Sequence, residues 1–436
     1  MKNSEIIVGL DIGTTKIACI VGRRNENGKI EIMGHGKTES IGVKRGVVSN
    51  IEDTVNSIRR AVDEASARSN VNIKYVNVGI AGQHIKSLQH KGSLIRESAE
   101  REIDKLEIDK LINDMYKLNM AAGEEIIDVI PQEYIIDGVV VPKPIGMEGS
   151  TIEANFHVII GQTAAARNIL KCVRKAGLEM ADLILEPIAS AEAVLNEEEK
   201  EAGVVLVDIG GGTTDIAIFY DKIIRHTAVI PFGGDIITDD IREGCSIIKK
   251  HAEEVKVKFG SALASENRDD EVVSIPGIRG RAPKEISFRN LASIIQARLE
   301  EIIENVYYEI RNSSFERKLI AGIVLTGGGA QMKHLDQLTS FITGMDVRIG
   351  YPNEHLASGT KEELASPMYS TGIGLVIEGI KRHDYELEIE VLKQPVIEPF
   401  LLPKGKKATK IIEKPIKPGI SYLDRLKQIF GSDLIE

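Results

Sequence analysis

Two short strings hold the residues best suited to chemistry, Asp11-Ile12-Gly13-Thr14-Thr15-Lys16 and Asp208-Ile209-Gly210-Gly211-Gly212-Thr213-Thr214-Asp215. Their glycines let the backbone approach an oxyanion closely, and their threonine hydroxyls and backbone N–H groups donate to it. A carboxylate at a strand end repels phosphate, so Asp11 and Asp208 read as holders of the hydration shell of a hard cation. Two such strings facing each other make a clamp for a metal-bound nucleotide. A third cluster, Gly327-Gly328-Gly329, lies between Thr326 and Ala330. It is expected to begin a helix whose N-terminus carries the adenosine or the α-phosphate.

The elements that must position these groups can be read around them. Ile6-Ile7-Val8 precedes the first string and Val204-Val205-Leu206-Val207 the second. Ile17-Ala18-Cys19-Ile20 and Ile216-Ala217-Ile218-Phe219 follow them, giving strand, glycine turn and returning strand twice over. Two halves of matching order suggest a duplication. Apolar positions at helical spacing predict helices over 51–69, 164–175 (closed by Gly177), 235–243, 246–257 and about 288–312. The charged stretch 98–117 reads as a surface helix. Segments 126–130, 133–137 and 139–141 read as strands separated by Pro131 and Gly138.

At 436 residues the chain exceeds one ordinary core, so two or more domains are expected. A net charge of -10, aromatics at 4% and no tryptophan argue against nucleic-acid binding. Cys19, Cys172 and Cys245 form no metal or redox motif, and the histidines show no ligand spacing. No Gly-x-x-x-x-Gly-Lys-Ser/Thr string and no Rossmann fingerprint occurs. With no apolar leader and no long uncharged apolar run, a cytosolic chain that does not span a membrane is expected.

Several residues admit two readings. Lys16 meets a β- or γ-phosphate as a point charge, or is an exposed turn lysine. Glu186, between a strand and Pro187, orients an attacking or metal-bound water, or is a helix-start acid favoured by the dipole. Glu253 and Lys256 hydrogen-bond ribose hydroxyls, or form a surface ion pair. From about 385 the composition turns to prolines and lysines and reads as a flexible basic linker. It ends in a segment where Leu423, Leu426, Ile429 and Phe430 share one helical face, an anchor for an anionic membrane surface or a helix that packs on protein.

The two hairpins, the Glu186-Pro187-Ile188-Ala189-Ser190 segment and the Thr326-Gly327-Gly328-Gly329-Ala330 turn resemble the phosphate, connecting and adenosine motifs of the actin-like ATPase superfamily. Within it, Gly79-Ile80-Ala81-Gly82-Gln83-His84, the linker and the amphipathic tail make the chain similar to the FtsA family of bacterial cell-division proteins. The resemblance implies an α/β, two-lobed actin-like ATPase fold, built from duplicated ribonuclease H-like domains with an inserted αβ subdomain. It implies a first lobe at 1–83 and 163–202, joined by 372–385, with the inserted subdomain at 84–162. The second lobe would be 203–235 and 287–371, with a small subdomain at 236–286, a linker at 386–419 and a membrane-targeting tail at 420–436.

The cofactors implied are ATP and Mg²⁺, the latter held by Asp11 and Asp208 through water. Gly13, Thr14, Thr15 and Lys16 would contact the phosphates with Gly210, Gly211, Gly212, Thr213 and Thr214. Gly234, Glu253, Lys256, Gly327, Gly328 and Gly329 would surround the ribose, adenine and α-phosphate. Glu186 would be the catalytic residue of what is at most a weak ATPase. The implied partners are the FtsZ C-terminal peptide at 236–286, further copies of the chain in a filament, and other divisome proteins. Lys249, Lys250, Lys256, Lys258, Arg279, Arg281 and Lys284 suit such an acidic peptide. The tail residues Tyr422, Leu423, Leu426, Ile429 and Phe430 would meet the inner face of the membrane at the division site. Rival readings are another actin-superfamily filament or pilus-assembly ATPase, or a small-molecule kinase of that superfamily.

Overall fold

Both strings fold as hairpins. In the computed structural model, which describes residues 5–277 and 282–393, strand Ile7–Ile12 returns as Lys16–Arg24, with Asp11 opposite Ala18. Strand Val204–Ile209 returns as Thr214–Tyr220, with Asp208 opposite Asp215. A third antiparallel strand follows each pair, Ile30–Glu39 in one and Ile223–Ile230 in the other. On its other edge each first strand pairs in parallel, with Tyr75–Ile80 and then Glu179–Leu185, or with Ile323–Thr326 and then Val347–Ile349. The two five-stranded sheets therefore have the same order, as a duplication requires.

Helices cover the outer faces. Ile51–Ser69, capped by the Asn50 side chain, packs with Thr163–Lys175 on the first sheet, and Phe288–Asn312 packs on the second. Between the sheets cross Glu186–Val194 and Ser370–Lys393. They approach so closely that a Cβ on Gly374 would stand 1.7 Å from the Ala189 carbonyl oxygen. Around them one apolar cluster joins both lobes, including Ala18, Ile20, Leu206, Ala217 and Val376.

A four-stranded sheet of Lys86–Ile95, Thr151–Gln162, Glu124–Ile136 and Val139–Val141, with helix Lys105–Met115, forms its own core. It reaches across to the second lobe through Arg225 to Glu133 at 2.7 Å, His157 to Thr227 at 3.1 Å, and Gln132 to the Ile224 carbonyl.

Three expectations are corrected. The helix expected at 98–117 starts only at Lys105, where Asp104 and Glu107 build a capping box, and its Leu111 is fully buried rather than at the surface. Pro131 does not divide two strands. It sits at a bulge, where Phe156 pairs with Pro131 and Asn155 with Glu133, so the missing N–H costs no ladder bond. The linker expected from 386 begins later, because the final helix continues to Lys393. Ile389 is buried there, and Lys105 pairs with Glu388 and lies over the Tyr385 ring. The remaining linker and the whole amphipathic tail lie outside the described residues. Among those described, no helix is long and apolar enough to cross a membrane.

Candidate functional site: a cleft between the lobes

The two turns meet across a cavity of about 640 Å³. Their contact is intimate: a Cβ on Gly211 would lie 1.7 Å from Thr15 Oγ1, and one on Gly212 would lie 2.5 Å from Thr14 Oγ1. The second turn is glycine-rich because the hydroxyls of the first occupy the space a side chain would need. Thr15 also lies 3.5 Å from Asp235, the second residue of helix Gly234–Gly244. That helix starts under the turn, and its Gly234 and Asp235 N–H groups donate to the carbonyls of Gly210 and Gly211.

Four carboxylates and one ammonium set the electrostatics. Lys16 Nζ donates to Asp11 Oδ2 at 2.5 Å. Burial alone would lower the Lys16 pKa, but Asp11, with Asp208 and Glu186 behind it, raises it. Asp208 accepts from Ser190 at 2.7 Å and from Thr371 at 3.2 Å. Burial still pushes its carboxyl up, these bonds opposing the push and Asp11 adding to it. Asp215, paired with Thr213 at 3.0 Å, is pushed up to about 8 by burial and by Asp208. Glu186 is raised well above the carboxylate range by burial first, then by Asp11, Asp215 and Asp208, against Lys16. Its side chain occupies the space left by the absent side chain of Gly79, where a Cβ would come within 2.9 Å of it.

The donor set fits a hydrated cation. Among the described residues no cluster of three or more His, Cys, Asp or Glu side chains is compact enough to grip a metal directly. Yet Asp215 Oδ1 is buried without a hydrogen-bond partner, beside carboxylates whose mutual repulsion a cation would relieve.

The structure brings Asp11, Gly13, Thr14, Thr15, Lys16, Glu186, Asp208, Gly210, Gly211, Gly212, Thr213, Gly234, Glu253, Lys256, Gly327, Gly328 and Gly329 to this one cavity. Thr214 is not among its lining residues; its buried hydroxyl donates to the Phe232 carbonyl. The third glycine cluster opens a single 3₁₀ turn, Gly329–Gln331, and the helix behind it starts only at Leu335. Gly327 has φ of +85°, and a Cβ there would lie 2.2 Å from Asp208 Oδ1, so this glycine serves the second hairpin. Gly328 alone has open space around it.

Lys256 forms an ion pair with Glu253 at 2.7 Å, but not at the surface. It is buried and also donates to the Gly234 carbonyl and Thr238 Oγ1, both at 2.8 Å. It therefore drops out of the exposed basic set, and Lys249 is partly neutralised by Asp239 at 3.5 Å. Arg279 and Arg281 lie outside the described residues. Sequence reasoning passed over Asp215, Ser190, Thr371 and Asp235. The first two stood inside the quoted strings, whereas Thr371 and Asp235 have no local signal.

Comparison with known proteins agrees with this geometry. Residues 205–374 match the family model described as cell division protein FtsA, and residues 82–160 match the SHS2 domain inserted in FtsA. A cell division protein FtsA of Pseudomonas aeruginosa is 41% identical over 392 residues, covering 90% of this chain and 93% of that protein. The chain belongs to the FtsA family. The Escherichia coli K12 FtsA is 35% identical over 397 residues, covering 88% and 93%. The Bacillus subtilis FtsA is 35% identical over 377 residues, covering 86% and 84%.

Solved structures share the fold. The PilM-PilN type IV pilus biogenesis complex superposes with a TM-score of 0.62 at 17% identity, covering 86% of this chain and 98% of the other. MreB5 of Spiroplasma citri bound to ADP gives 0.50 at 17%, covering 89% and 99%. The expected two-lobed α/β architecture with an inserted subdomain is thus the observed one, and the protein is a cell division protein of the FtsA family.

Proposed function

We propose that the chain binds ATP with Mg²⁺ in the interlobe cleft and tethers FtsZ filaments to the membrane. The nucleotide part rests on one observation: two glycine hairpins closed on each other around a cavity lined by Asp11, Asp208, Asp215 and Glu186 together with Lys16. Asp11, Asp208 and Asp215 would hold the cation through its water shell, and the cation would supply charge neutralisation between them and the phosphates. Lys16 would turn from Asp11 toward a phosphate, Glu253 would reach the ribose, and the open side of Gly328 would admit the α-phosphate or adenosine. Glu186, buried beside Asp11, Asp208 and Asp215, would orient the attacking or metal-bound water of what is at most a weak ATPase. The ADP in the related MreB5 fold supports this reading.

The segment 236–286 would take the acidic C-terminal peptide of FtsZ, with the exposed Lys250, Lys258 and Lys284 supplying charge. Residues 420–430, with Tyr422, Leu423, Leu426, Ile429 and Phe430 as the apolar set, would lie on the inner face of the membrane at the division site. Self-assembly and contacts with other divisome proteins complete the role.

The test is co-sedimentation of the full chain with anionic vesicles in Mg-ATP, with and without an FtsZ C-terminal peptide. Vesicles are expected to bring down protein and peptide together, and a chain lacking residues 420–436 should stay in solution. Sedimentation that survives this deletion would place the anchor elsewhere.

A further inference from the structure

A short hairpin outside the motifs leans over the cleft. Val43–Lys44 pairs with Val47–Val48, leaving Arg45 and Gly46 as a two-residue turn. Both have positive φ, 49° and 73°, so the turn is type I′, whose first position favours asparagine, aspartate or glycine. Arginine there holds a left-handed conformation that its Cβ disfavours. Such strain persists where the surroundings over-determine it, and it clusters at ligand clamps.

The surroundings here are the clamp itself. Gly46 N–H donates to Thr14 Oγ1 at 3.1 Å, tying the turn to the first hairpin. Arg45 Cα lies 2.9 Å from where a Cβ of Gly212 would stand, which sets it against the second. A Cβ on Gly46 would lie 2.8 Å from the Ala81 carbonyl, so the turn is wedged from behind as well. Gly46 and Ala81 both line the cavity. The turn thus touches both hairpins at once, although it belongs to the first lobe. Among the described residues no hydrogen bond or ion pair is seen for the Arg45 guanidinium, and its side chain is exposed.

We propose that Arg45 reads the terminal phosphate of a nucleoside triphosphate, its turn seating over the cleft when the two hairpins close. Lys16, released from Asp11, would serve one phosphate beside the first hairpin, and Lys256 is held by Gly234 and Thr238 of the neighbouring helix and by Glu253, so neither supplies a cation for a further phosphate. A guanidinium offers a fork of donors matched to phosphate oxygens. A diphosphate ends short of the turn and leaves the fork without a partner. Closure around a triphosphate would then be favoured over closure around a diphosphate, which couples nucleotide state to lobe angle.

This inference rests on the nucleotide reading of the cleft, and its test separates the two. ATP and ADP are titrated with Mg²⁺ into the full chain, its Arg45→Gln variant and its Arg45→Gly variant. Arg45→Gln should weaken ATP about tenfold and ADP less than about twofold. Arg45→Gly removes the backbone strain and should raise the unfolding midpoint, yet lose the same preference for ATP. If the parent chain binds both nucleotides and neither variant changes their ratio, the Arg45 assignment is overturned and the cleft reading survives. If the parent chain binds neither, both fall.

Discussion

At equivalent positions of the two hairpins, Lys16 of the first lobe stands where Thr213 stands in the second, and Ala18 stands where Asp215 stands. The backbones follow one register, and both aspartates face the helices that cross between the lobes. The side chains differ, in charge above all. The first turn neutralises its own carboxylate with an ammonium at 2.5 Å. The second stacks two carboxylates and supports them with the hydroxyls of Ser190, Thr371 and Thr213. A duplicated scaffold has become a dipolar cleft, self-paired on one side and short of positive charge on the other. The missing charge is what a hydrated cation with its nucleotide would bring.

The comparison is broken most severely by giving the first hairpin the second one's carboxylate. Ala18 is buried in the interlobe cluster, so Ala18→Asp should destabilise the chain by about 3–5 kcal/mol, as an unpartnered buried charge does. Urea unfolding reads this, and a loss below about 1 kcal/mol would mean that water reaches this face.

Next in size is Asp208→Ala, which should weaken Mg-nucleotide binding about a hundredfold by removing the better supported of the two strand-end carboxylates. Calorimetric titration checks it, and unchanged affinity would end the clamp reading of the second hairpin.

The smallest effect is a slope. Burial and Asp208 push the folded Asp215 carboxyl up to about 8 from an ordinary 3.8, so the native state binds the extra proton between these values. Its contribution to stability is full below the unfolded value and is lost as pH rises through about 8. In the absence of Mg-nucleotide, Asp215→Asn should flatten that decline in unfolding midpoints measured from pH 5 to pH 9. A decline as steep as the parent's would assign it to another group.

What was legible in the sequence was local. Strand–turn–strand strings announce themselves within about fifteen residues, because alternation and turn chemistry are short-range signals. Helix Ile51–Ser69 was equally plain from its spacing. Hidden were features assembled from distant segments: Thr371 reaching Asp208, the Arg45 turn against Gly212, and Lys256 folded inward onto Gly234. Pro131 misled because proline is a breaker in any sequence window, and only the partner strand shows that its position needs no donor. The linker expected from 386 begins later because Ile389, on the final helix, is buried against neighbours that composition does not reveal.

The crossing of the two interlobe helices has a mechanical consequence. Gly374 against Ala189 leaves no room for these two helices to slide past each other, so they move as one body. Farther from this crossing, among the described residues, the inserted subdomain's polar contacts with the second lobe are Arg225–Glu133, His157–Thr227 and Gln132 to the Ile224 carbonyl. Those contacts can be exchanged for water at little net cost, whereas the apolar crossing cannot. A small motion of one lobe that leaves the apolar crossing dry would be felt first at this outlying seam, which works like the free end of a pointer. Ionic strength, by loosening the one ion pair there, should therefore alter how readily the pointer swings before it alters whether the molecule holds together.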